Sequence, residues 1–162
     1  MRNILVKKSR SRSPTRCARS GFTLVELLVV IAIIVILATV GIPAVGELIK
    51  DNRTASQARE LSALLTFARS EAIRRNTDVD VLLTEGGAEA RLGEDVLRSL
   101  QWNRVTVTEL TEDITFTNRG YLASFDLPSI TMTHEDCRGE GQRRQFDIER
   151  TGQLGVTRMG CN

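Results

Sequence analysis

The chain has 162 residues, 41% hydrophobic and 26% charged with three prolines, which suits one ordinary domain plus an appendage and excludes disorder throughout. Its formal charge of +2 conceals an asymmetry: residues 1–21 carry seven of the 22 basic residues (Arg2, Lys7, Lys8, Arg10, Arg12, Arg16, Arg19) and none of the 20 acidic ones, leaving −5 on the remainder. A basic tail precedes an acidic body, which disfavours an evenly positive nucleic-acid coat on that body.

After the tail, Phe22 to Val45 is apolar apart from Thr23, Glu26 and Thr39. As a helix this run spans about 36 Å at ~1.5 Å per residue, against about 30 Å of bilayer hydrocarbon. The charged flank places the N-terminus in the cytoplasm and the body across the inner membrane. Two processing routes compete for such a segment. A secretory signal needs a small-x-small site after its apolar run, and the stretch from Ala38 to Ala44 offers one only loosely. The other route cuts before the run.

The residues Gly21-Phe22-Thr23-Leu24-Val25-Glu26-Leu27-Leu28-Val29-Val30 resemble the processing signature of type IV pilins and pseudopilins. That resemblance implies cleavage after Gly21 by a prepilin peptidase, methylation of the new N-terminal Phe22, and retention of the apolar helix. Glu26 stands out because an ionised side chain at the centre of a bilayer costs roughly 2.5–3.5 kcal/mol. It is either an interfacial carboxylate reaching the headgroups or, as the resemblance implies, the assembly residue that pairs with the α-amino group of a neighbouring Phe22. Pro43 lacks an N–H and clashes with the carbonyl of Thr39, so it is expected to bend or locally melt the helix, and Gly41 and Gly46 loosen the same region. Pilin-like anchors resemble this pattern of softening, although Pro43 can equally mark the membrane exit.

Helical periodicity resumes at Ala58, Leu61, Leu65, Ala68 and Ala72, with Arg59, Glu60, Arg69, Ser70 and Arg74 on other faces. Glu71 and Arg75 form an i,i+4 pair. One long interrupted helix from about Phe22 to Arg75 is expected, ended by Asn76. The remainder alternates with period two: Val79, Val81 and Leu83; Val105 and Val107; Ile114 and Phe116; Tyr121, Ala123, Phe125 and Leu127; Ile130 and Met132; Phe146 and Ile148; Leu154 and Val156. About seven strands follow, with turns at Gly86-Gly87, Asn118-Arg119-Gly120 and Thr151-Gly152. Leu92 to Trp102 reads as a short helix or an irregular crossing.

A long helix followed by antiparallel strands gives an α+β class with the helix on one sheet face. The expected organisation is a cleaved basic leader over 1–21, a transmembrane or filament-core helix over 22–50, and a periplasmic head over 51–162. Asn52-Arg53, Glu60-Leu61 and the stretch from Phe67 to Arg75 resemble the FimT/GspH branch of minor pilins and pseudopilins. Ile114-Thr115-Phe116 with Gly120, and the Thr151-Gly152 turn, also resemble it. Membership would imply a pilin-like fold.

Cys17 would leave with the leader, so the exported body keeps Cys137 and Cys161, an even pair in an oxidising compartment. A bridge between them would close a loop worth about 3.5 kcal/mol in the chain-entropy treatment. A metal at His134-Glu135-Asp136-Cys137 is disfavoured, since four adjacent groups do not readily converge on one ion. No G-x-S-x-G, H-E-x-x-H or phosphate loop is present, and one histidine leaves no convincing triad. No enzyme activity and no cofactor are expected.

Two functions remain. The first is an assembly subunit that initiates or caps a type IV pilus or the pseudopilus of a type II secretion system, its partners being the prepilin peptidase, other major and minor pilins or pseudopilins, and the inner membrane. The second is DNA binding for uptake, which some FimT-like pilins perform. Arg143, Arg144, Arg150 and Arg158 would supply phosphate contacts. The family's Gly-Arg-x-Arg motif is replaced here by Gly152-Gln153-Leu154-Gly155, which removes both guanidiniums from that turn.

Overall fold

The computed structural model describes residues 21–108, 113–124 and 128–161, apart from the side chains of Val40, Pro43 and Ala44. Residues 1–20 of the expected leader, with Cys17, and the expected inward positions Phe125 and Leu127 lie outside the described residues. The chain divides into two units, Met1–Thr39 and Val40–Asn162.

In the first unit, helix α1 (Leu24–Arg75, continuing into the second unit) is capped by Thr23. The Thr23 hydroxyl accepts the N–H of Glu26 at 3.2 Å, and its carbonyl accepts the N–H of Leu27 at 3.2 Å. Thr23-Leu24-Val25-Glu26 therefore has the residue types of a capping box, with an acid in the first turn where the helix dipole favours it. From Leu24 to Leu37 large apolar side chains are exposed on all sides of the helix.

No break appears at Pro43: α1 runs as one 52-residue helix through that position. Proline keeps a helix-compatible φ, so the helix can continue through it at the cost of one hydrogen bond and a clash with the preceding turn. The helix ends in a Schellman arrangement, with Asn76 at φ 52°, its N–H on the Ile73 carbonyl at 3.3 Å, and the Thr77 N–H on the Ala72 carbonyl at 3.2 Å.

The second unit carries two antiparallel four-stranded sheets. The first has the order β3 (Asp95–Gln101), β2 (Gly87–Leu92), β1 (Val79–Thr84), β5 (Ile114–Phe116). The second has the order β4 (Val105–Thr108), β6 (Ser129–His134), β7 (Glu140–Ile148), β8 (Leu154–Gly160). The expected helical stripe Ala58, Leu61, Leu65, Ala68 and Ala72, joined by Leu64, shares one buried core with Val79, Val81, Ile114 and Phe116 of the first sheet. Val105, Ile130, Met132, Phe146 and Ile148 of the second sheet belong to the same core.

Three expectations need correction. Leu92 to Trp102 contains strand β3 rather than a helix, and β2 precedes it. The cause of the miss is physical: β3 is an edge strand whose half-buried side chains, Leu97 and Leu100, are three positions apart rather than two, and its pairing with β2 is bulged between Ala90 and Arg91. Gly87, Ala88 and Ala90 of β2 are poor strand formers by propensity, but Gly87 lies against the Leu100 carbonyl and both alanines are buried.

Tyr121 does not face inward. It is 50% exposed while Leu122 is buried, because Leu122 bridges Phe116 and donates its N–H to the Arg150 carbonyl at 3.0 Å. Val156 is likewise exposed, since β8 is the edge of its sheet.

Two turns meet over α1. Gly120 and Gly152 both have positive φ (77° and 74°), and Arg69 Nε donates to the Gly120 carbonyl at 3.0 Å. A Cβ on Gly152 would lie 2.5 Å from that carbonyl oxygen. Gly152→Ala should therefore cost about 1–3 kcal/mol in thermal or denaturant unfolding. Gly86→Ala, where a Cβ meets nothing within 4 Å, should change stability by less than about 1 kcal/mol.

Candidate functional site

The apolar start of α1 contains a single charged residue, Glu26, exposed and without an ion-pair partner among the described residues. Gly21 and Phe22 precede the helix, both exposed. Among the described residues no helix is long and apolar enough to cross a membrane.

In the second unit a polar belt joins α1 to the far end of the second sheet. Asp51 accepts from two guanidiniums at once, Arg144 Nη2 to Oδ1 at 2.6 Å and Arg158 Nη2 to Oδ2 at 2.8 Å. Arg144 and Arg158 are direct cross-strand partners on β7 and β8, so the ladder register presents both to one carboxylate. Arg144 is only 8% exposed and also donates to the carbonyls of Gly141 and Arg143.

One turn earlier on the helix, Glu47 accepts from the buried amide of Gln142, whose Oε1 receives the Arg138 N–H at 3.1 Å. Lys50 Nζ donates to the Asp136 carbonyl at 3.1 Å. Cys137 and Cys161 are bridged beside this belt, with Cα atoms 5.6 Å apart. Cys137 is thereby a disulfide sulfur and not a free thiolate.

This geometry separates the four candidate DNA contacts. Arg144 and Arg158 are engaged by Asp51, Arg143 projects from the opposite face of β7 with its Nε buried, and Arg150 is exposed in the turn before Gly152. Sequence reasoning missed Glu47, Lys50 and Asp51. Their i, i+3, i+4 spacing just past the apolar run is the signal of a polar contact face on a helix.

Residues 57–152 match the family described as Type II transport protein GspH, and residues 16–42 match the prokaryotic N-terminal methylation motif. The chain belongs to the GspH family. It is 36% identical to Fimbrial protein Q of Moraxella bovis over 46% of this chain, a match spanning 54% of that relative's length. In fold it is similar to the type IV minor pilin FimU of Pseudomonas aeruginosa, solved in two crystal forms. These give TM-scores of 0.56 and 0.55 at 22% and 23% identity, covering 65% and 64% of this chain and 89% and 91% of FimU. The chain thus joins an N-terminal methylation motif to a GspH-family head with the α+β pilin fold.

Within this GspH-family head the last turn of α1 is held by a second ion-pair group. Glu71 accepts from Arg74 Nη2 at 2.6 Å and Arg75 Nε at 2.7 Å, and these hydrogen bonds lower its carboxyl from 4.5 to about 2. A depressed carboxyl adds stability that is present above 4.5 and lost as pH falls through about 2. Glu71→Gln should flatten the acid-unfolding profile in that window.

Asp51→Ala would strand the buried Arg144 and should cost about 2–4 kcal/mol, toward the low side of breaking a buried pair. Arg158→Ala removes a side chain that is 62% exposed and should cost about 0–1 kcal/mol in the same denaturant titration.

Proposed function

We propose that this protein is an assembly subunit of a type IV pilus, entering the initiation or tip complex through its N-terminal helix. The observation that carries this reading is the surface of α1 from Leu24 to Leu37, apolar on every side and interrupted by one carboxylate. An exposed helix of that kind is satisfied only by lipid or by other apolar helices. The two environments succeed each other if the helix leaves the inner membrane for a filament core.

In this reading residues 1–21 are the cytoplasmic leader, prepilin peptidase cuts between Gly21 and Phe22, and Phe22 is then N-methylated. The helix over 22–50 anchors a periplasmic head formed by 51–162. Glu26, fifth from the new terminus, pairs with the α-amino group of a neighbouring subunit, which neutralises both charges away from water. Pro43 serves as the soft point at which the helix yields during extraction.

The names of Fimbrial protein Q and of the minor pilin FimU support the pilus. The type II transport description of the family supports the second reading, a pseudopilin of a type II secretion system. DNA uptake draws less support from the geometry, because Asp51 occupies two of the four arginines on which it rests.

Glu26→Ala tests the assembly reading in cells. The variant should be processed and remain in the membrane fraction, yet be depleted from sheared filaments by about tenfold, a loss of roughly 1.4 kcal/mol in incorporation. Normal incorporation would sink the pairing role.

A further inference from the structure

His134 is the chain's only histidine and is 2% exposed at the end of β6, opposite Val105 of β4. Its Nδ1 accepts the backbone N–H of Asp136 at 3.1 Å, which puts the ring proton on Nε2. Nε2 is buried with no hydrogen-bond partner among the described residues. The neutral ring is held by one accepted bond.

Three elements converge on that ring. Helix α1 brings Lys50 and Arg53, the turn before β4 brings Arg104, and the turn after β6 brings Glu135 and Asp136. The turn is fastened at several points. Lys50 Nζ holds the Asp136 carbonyl at 3.1 Å, and Arg104 holds the Asp136 carboxylate at 3.2 Å and that of Glu135 at 3.6 Å. The Cys137 N–H closes the turn on the His134 carbonyl at 3.1 Å, and the next bond along the chain leads to the disulfide.

We propose that His134 is an acid-sensitive latch: protonation at Nδ1 expels the Asp136 N–H and opens the turn that ties α1 and the Cys137–Cys161 bridge to the second sheet. The proton converts the acceptor into a donor facing another donor. It also adds a positive charge beside Lys50, Arg53 and Arg104, with Asp136 as the opposing charge and Glu135 engaged by Arg104. Burial, followed by the Arg104 and Lys50 charges, pushes the imidazole below its usual 6.5. The latch is therefore fully closed above 6.5 and weakens as pH falls from there through the lower value of the folded state. It holds whether or not the protein enters a filament.

Because the chain has one histidine, its imidazole signal can be followed by NMR in the full-length protein in detergent micelles without ambiguity. The ring should stay neutral to below 6.5. Reduction of Cys137–Cys161 by a phosphine, read by mass spectrometry of the alkylated peptides, should be faster at about pH 5.5 than at about pH 7.5. Each unit by which the folded ring lies below its unfolded value favours opening by up to about tenfold in acid.

His134→Asn offers Oδ1 as an acceptor for the same N–H and cannot take the proton, so its reduction rate should lose the acid acceleration. Titration at or above 6.5, equal wild-type rates at both pH values, or an asparagine variant with the wild-type acceleration would overturn the latch. If the variant does not fold, the imidazole titration and the wild-type rates decide.

Discussion

Burial of a single stripe of α1 beneath two separate sheets is the interaction on which the rest of the head depends. No named strand is shared between the sheets, so the side chains from Ala58 to Ala72 are their common core. Each buried leucine in that stripe contributes about 1.5–3 kcal/mol of transfer free energy. Truncation would remove that amount and leave a cavity facing both sheets. Hydrogen bonds reinforce the same arrangement: the Leu122 N–H donates to the Arg150 carbonyl across the gap, and the Arg69 side chain reaches from the helix to the Gly120 carbonyl where it abuts Gly152. The positive-φ glycines are therefore explained by the joint between turns and helix, beyond their role in reversing the chain.

Much of this was legible because periodicity reports burial. The stripe, the apolar pairs in β1, β4, β5, β6 and β7, and the stop at Asn76 all followed from spacing, and each lies in the common core or at a helix end. What failed lay at edges. β3 is bulged and half-buries only Leu97 and Leu100, β8 is open along one side, and Tyr121 to Ala123 form a bridge without becoming a strand, so none had to alternate. The parity error at Tyr121 arose because a hydrogen bond from Leu122 to a distant turn decides which neighbour faces inward, and such a bond leaves no local pattern.

The polar belt was illegible for a related reason. Asp51 and Arg144 are 93 positions apart, and only the β7–β8 register brings Arg158 to the same carboxylate. Hydropathy sets a head boundary near residue 50, whereas the compact unit begins at Val40 and uses Glu47 and Lys50 as contacts. The sequence pattern recognises where apolar character ends, but a fold is bounded where contacts end. The residues between those limits belong to the helix by composition and to the head by interaction.

The same distinction governs the arginines. A count over the C-terminal region suggests a cationic surface, yet surface potential depends on charge left uncompensated at the surface. Arg144 and Arg158 share Asp51, Arg104 lies between Glu135 and Asp136, Arg91 meets Glu89, and Arg74 and Arg75 share Glu71. These pairs spend cationic groups on holding helix ends, strands and turns in register. An acidic body rich in arginine is thus what a head stabilised by ion pairs looks like, and the charge that remains to meet a partner has to be sought outside them.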